Sequence, residues 1–150
     1  MFWNWNGGYK FLRVDGRTTG LPSGWRLHLG STGCDGDGRG NVSGCTSENR
    51  PEIELTGFDP EAGRIAVDLA AVLEESDVDN DTSGQPGCMS GVDDMDCAAI
   101  FQALGLPFQG TAAGDQRFFL AWAQVWREKR TERSMLSQLR AGTHAPGKFR

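Results

Sequence analysis

The 150-residue chain, 38% hydrophobic with 21 glycines and a net charge of −5, has room for one domain with a modest core, or a small domain with an appendage, and is not a helical bundle. No window approaches the run of ~18 apolar residues that spans a bilayer, and Met1 leads directly into Phe2-Trp3-Asn4-Trp5 with no basic or apolar leader, so no signal peptide is visible. The charge divides at one point, with 7 Lys+Arg against 17 Asp+Glu up to Gly114 and 8 against 3 from Asp115 onward; 19 of the glycines also precede Asp115, so two pieces of different origin are expected, residues 1–113 and 114–150.

Tyr9 to Val14 reads as a strand, with Tyr9 and Phe11 on one face and Lys10, Leu12 and Val14 on the other, closed by an Asp15-Gly16 turn. Trp25, Leu27 and Leu29 alternate with Arg26 and His28, which predicts a half-buried strand with His28 on its polar, solvent side. Glu52 to Thr56 alternates Ile53 and Leu55 against polar residues, and Arg64 to Leu69 continues with Ile65, Val67 and Leu69 inward; both read as strands. Asp68 to Leu73 turns alanine-rich, a short helical turn, before an acidic, glycine-containing loop from Glu74 to Asp96.

Cys97 to Leu104 carries Ile100, Phe101 and Leu104 at helical spacing and stops at Gly105, a normal residue just past a helix end. From Asp115 the register changes. Phe119, Trp122, Ala123 and Trp126 recur at i, i+3, i+4 and i+7, an amphipathic helix that Met135, Leu136 and Leu139 extend to about Arg140. Trp3, Trp5 and Tyr9 read as an aromatic cluster of the core.

The four cysteines form two close pairs, Cys34/Cys45 and Cys88/Cys97, each set among turn formers. Four cysteines allow three connectivities. Closing the short loop within each pair is the simplest, and each bridge would contribute roughly 2–3 kcal/mol by loop entropy. Crossed bridges and a metal site are the alternatives, although neither pair has the C-x₂₋₄-C spacing that zinc prefers. Disulfides imply an oxidising compartment, periplasmic or cell-surface, which conflicts with the missing leader unless the chain is a fragment.

Two acidic words have the alternate spacing of a calcium loop: Asp77-x-Asp79-x-Asp81 and Asp35-x-Asp37. The second even has Gly40 at loop position six. Arg39 at position five and Thr46 at position twelve spoil it, so Asp77, Asp79 and Asp81 are at most a weak calcium site.

The segment Phe2 to Asp15, with its W-x-W-x-G-G-Y-K-F-x-R word, resembles the MbnP-like family of four-cysteine copper proteins, encoded beside a dihaem peroxidase-like partner. His28 to Cys34, Asn49-Arg50-Pro51, Gly57 to Pro60, Val67-Asp68-Leu69 and Gly87 to Cys97 match in the same order, so the resemblance covers residues 1–119. It implies a mainly β, loop-rich, antiparallel sandwich-like domain outside the cytoplasm, stapled by two disulfides. It also implies copper binding and a tryptophan, Trp3 or Trp5, that the haem partner oxidises. The N-terminal half of such proteins is absent here, and His28 is the one imidazole left in the domain to serve as a copper ligand.

Gly114 to Arg127 looks like the G-D-Q-R-F-F-x-x-W-A-Q-x-W word near the C-terminus of neprilysin-like zinc metallopeptidases, and His144-x-Pro146-x-x-Phe149-Arg150 is similar to that family's closing word. There the histidine stabilises the transition state and the arginine holds substrate, so His144 and Arg150 are vestigial peptidase residues. No H-E-x-x-H occurs in the chain. Without that zinc and its carboxylate base, no hydrolysis is expected. The combined expectation is a non-enzymatic copper-type fragment carrying a basic amphipathic helix. The alternatives are a metallopeptidase fragment and a protein-interaction module. Zinc and nucleic acid are not expected, and self-association through exposed aromatic surface is.

Overall fold

Short antiparallel pairings build this chain, and the turn chemistry between them decides where each ends. The structure is a computed structural model and describes residues 2–3, 8–37, 39–82 and 84–122. It divides into two compact units, Met1–Ile53 with Asp68–Phe118 and Glu54–Val67 with Phe119–Arg150. The expected mainly antiparallel, loop-rich character with two disulfides and few helices is what the chain has. None of the described helices is long and apolar enough to cross a membrane.

In the first unit, β1 (Phe2–Trp3), β2 (Gly8–Gly16) and β3 (Trp25–Gly30) form a three-stranded sheet in chain order. The β2–β3 register runs from Lys10 opposite Gly30 to Gly16 opposite Trp25, with an irregularity between Lys10 and Leu12. β4 (Thr32–Gly36) and β5 (Val42–Ser47) make a separate hairpin in which Cys34 and Cys45 stand directly opposite each other and are bonded.

The free edge of β3 is covered by the segment around the second bridge. The amides of Arg26 and His28 donate to the carbonyls of Pro86 and Cys88 at 3.0 and 2.8 Å. Gly87 permits this approach. Its φ is +90°, and a Cβ there would lie 2.1 Å from the Arg26 carbonyl oxygen, so only glycine combines that backbone with that proximity. Ser90 locks the next step, accepting from the Gly30 amide at 3.1 Å and donating to the His28 carbonyl at 2.8 Å.

Asp68 caps α1 (Leu69–Leu73) by accepting from the Ala71 amide. A 3-10 turn at Met95–Cys97 leads into α2 (Ala98–Ala103). Helix α2 closes as the sequence predicts: Gly105 has φ +73°, its amide reaches Gln102, and the Leu106 amide returns to Phe101. That pair of bonds is a Schellman motif. Ile100, Phe101, Leu104 and Phe108 pack with Trp25, Leu27, Leu29, Val72 and Phe118 in the core. Each large side chain so buried contributes about 1.5–3 kcal/mol.

In the second unit, β6 (Ile65–Val67) pairs with β7 (Phe119–Ala121), Ile65 opposite Ala121 and Val67 opposite Phe119. Four expectations change. Glu52 to Thr56 keeps its alternation of half-buried and exposed residues but enters no ladder among the described residues. Ile65 and Val67 face outward, 52% and 56% exposed, because the half-buried position of β6 is Ala66. The helix expected from Asp115 does not start there, since Phe119 to Ala121 bond as a strand to β6; its continuation from residue 123 lies outside the described residues. Tyr9 is not core. It is 46% exposed on the outer face of β2, with its hydroxyl donating to the Gly40 carbonyl.

Candidate metal centre

His28 sits in the middle of β3, opposite Arg13 of β2. The expected solvent-facing position is corrected: His28 is only 6% exposed. Alternation along β3 gave it a polar face, but its amide and carbonyl are both taken by the Cys88–Ser90 segment that covers the strand. Two residues along β2 from Arg13, the Asp15 carboxylate lies 3.0 Å from His28 Nε2.

The electrostatics of this trio are graded. Burial pushes the His28 pKa below its usual value, and the Asp15 hydrogen bond opposes that in part. Asp15 is held below the usual carboxylate range first by the Arg13 side-chain hydrogen bond, with His28 contributing less. Arg13 approaches the other oxygen of the same carboxylate, Oδ2, at 2.5 Å, while His28 faces Oδ1. The result is an imidazole biased toward its neutral form, with one ring nitrogen fixed by a carboxylate. Neutral imidazole is a good donor to copper, and a carboxylate on the ring's second nitrogen is the usual device for orienting such a ligand.

The described residues do not complete a copper site around it. Among them, one group of three or more candidate ligand atoms comes within 4.8 Å, namely Cys88, Asp94 and Cys97, and it does not include His28. In that group both sulfurs are joined in a disulfide, and the Asp94 carboxylate accepts from the amides of Met89 and Asp96. It is a stapled turn in the oxidised chain.

The other site residues disperse. Trp3 contributes its backbone to β1 opposite Gly8; Trp5, His144 and Arg150 lie outside the described residues. Asp77, Asp79 and Asp81 do not converge. Asp77 accepts from the Asp79 amide and the Asn80 side chain, Asp79 from the Gly20 amide, and Asp81 from the Gly84 amide. Asp35 and Thr46 belong to the two strands of the β4–β5 hairpin, so that stretch is not a calcium loop. Asp15 is the hydrogen-bond partner of His28 that its place in an Asp-Gly turn concealed. The signal was present: antiparallel pairing of β2 with β3 brings it diagonally across from His28 on one face.

The family model for MbnP matches residues 1–90. The chain belongs to the MbnP family. His28, Asp15 and three of the four cysteines fall inside that match. The model for Peptidase family M13 matches residues 105–150, so the tail resemblance also stands. Among solved structures, MbnP from Methylosinus trichosporium is similar at 34% identity and a TM-score of 0.49, over 64% of this chain and 37% of that one. The chain thus spans little more than a third of that MbnP. No curated protein matches.

Proposed function

We propose that this chain is an extracytoplasmic, periplasmic MbnP-type copper-binding unit, without enzymatic activity of its own, that works with a dihaem peroxidase-like partner. The observation that carries the reading is the buried His28 imidazole, biased toward its neutral form and fixed by Asp15 within the family-matched part. His28 supplies one nitrogen donor, and Asp15 sets the ring's orientation. A complete copper site requires further ligands beside it. The doubly stapled loops suit an oxidising compartment.

Copper titration of the oxidised chain, followed by calorimetry and electron paramagnetic resonance, tests this. Nitrogen hyperfine coupling from one imidazole is expected, and His28→Ala abolishes it. An unchanged spectrum and affinity in His28→Ala removes the metal assignment. The peptidase reading has the M13-matched segment behind it. It requires zinc-dependent cleavage of a short peptide that His144→Ala abolishes, and none is expected without H-E-x-x-H.

A further inference from the structure

The first unit is acidic, with 7 Lys+Arg against 15 Asp+Glu, yet three of those seven cations line one concavity. It lies at the turn end of the β2–β3 pairing, about 300 Å³ in volume, walled by Arg13, Arg17 and Arg26 with Asp15 and Ser23. The charges there do not cancel. Asp15 is neutralised by Arg13, which approaches it at 2.5 Å. Arg17 and Arg26 make no ion pair or side-chain hydrogen bond among the described residues. Arg26 is also anchored, because its amide donates to Pro86 and fixes the base of the side chain. Two guanidinium groups thus share one concavity with no paired protein anion among the described residues.

We propose that this concavity is a binding site for a small, doubly charged oxyanion of the phosphate class, held between Arg17 and Arg26 with the Ser23 hydroxyl as a further donor. The chemistry is that of arginine toward tetrahedral oxyanions: planar donors that pair in parallel with two oxygens. The surrounding acidity sharpens selection. An extended polyanion is repelled by the rest of the unit, whereas a compact anion fits inside the arginine wall and is screened from it. The proposal does not depend on copper: the anion contacts are Arg17, Arg26 and Ser23, while Arg13 and Asp15 border both this concavity and His28.

Titration of the full chain with inorganic phosphate at low ionic strength, read by amide NMR shifts and by calorimetry, tests it. Saturable shifts centred on Ser23, Gly24 and Arg26 are expected. Arg17→Gln/Arg26→Gln weakens binding by roughly tenfold or more. Arg50→Gln, in a different cavity beside Tyr9, leaves it unchanged. Asp15→Asn tightens binding, because it removes the one anion and frees Arg13, an outcome that a merely structural Asp15 does not produce. Arg17 follows the end of β2 and is exposed, so Arg17→Gln alone carries the test if the double variant fails to fold. No saturable shift at tens of millimolar phosphate, or equal affinity in Arg17→Gln and the unaltered chain, overturns the proposal.

Discussion

Burial withdraws water from the His28 ring and pushes its pKa below the usual 6.5, while Asp15 pulls it part of the way back. The folded chain therefore binds fewer protons than the unfolded chain just below that value. Stability from this group is full above 6.5 and is lost as pH falls through the depressed folded pKa. Asp15, depressed from 3.8, has the same sign at lower pH: its contribution is present above 3.8 and lost on further acidification. The urea midpoint should thus fall as pH drops below 6.5, and His28→Gln should flatten that slope. A midpoint equally pH-dependent in His28→Gln would assign the slope to other groups. Asp15→Asn removes the opposing negative charge, so the His28 ring should titrate lower still by NMR.

The segment Gly87–Ser90 acts as a strap across β3, and its two special residues set its strength. Ser90→Ala leaves the Gly30 amide and the His28 carbonyl without their hydroxyl partner in a buried place, an expected loss of about 1–3 kcal/mol in chemical denaturation. Gly87→Ala combines an unfavourable φ with a collision against Arg26, and should cost more than Ser90→Ala. The two disulfides differ in access. Cys88 and Cys97 are fully buried, while Cys34 and Cys45 are half-buried. Mild thiol reductant should open Cys34–Cys45 first, seen as alkylation of that pair before the other by peptide mass mapping. Equal rates of alkylation would show that access does not control the order.

Elements whose signals are local were legible in the residues: β2 and β3 from alternation, α1 from its alanine-rich run, α2 from helical spacing and Gly105, the bridges from cysteine proximity. What depended on a distant partner was not. Glu52 to Thr56 has the alternation of a strand but no ladder among the described residues, Ile65 and Val67 have the right period on the unexpected face, and Phe119 joins a strand because Val67 stands opposite it. His28 followed the same pattern. Its polarity was plain, but its burial and its backbone bonds to a strap some sixty residues away were not.

At the scale of the molecule, both units leave apolar surface uncovered. In the first, Tyr9 and Phe11 stand out from β2; in the second, Ile65 and Val67 stand out from a two-stranded sheet too small to be stable alone. Such surfaces drive edge pairing and association. Light scattering should show mass rising with concentration, and Ile65→Lys/Val67→Lys should lower it toward the monomer. A monomer at every concentration would rule out association through β6.

Both bridges close rings inside a single short stretch, Cys34 to Cys45 and Cys88 to Cys97. The chain between Cys45 and Cys88 is therefore spanned by no covalent cross-tie. A single nick there yields two separate polypeptides even on a non-reducing gel, each keeping its own closed ring. What then holds β3 to the later half is its contact with the strap: the amides of Arg26 and His28 on one side, the Ser90 hydroxyl on the other, and the core beneath them. Topologically this is a split protein waiting for a cut, and its two pieces are natural candidates for reassembly by complementation.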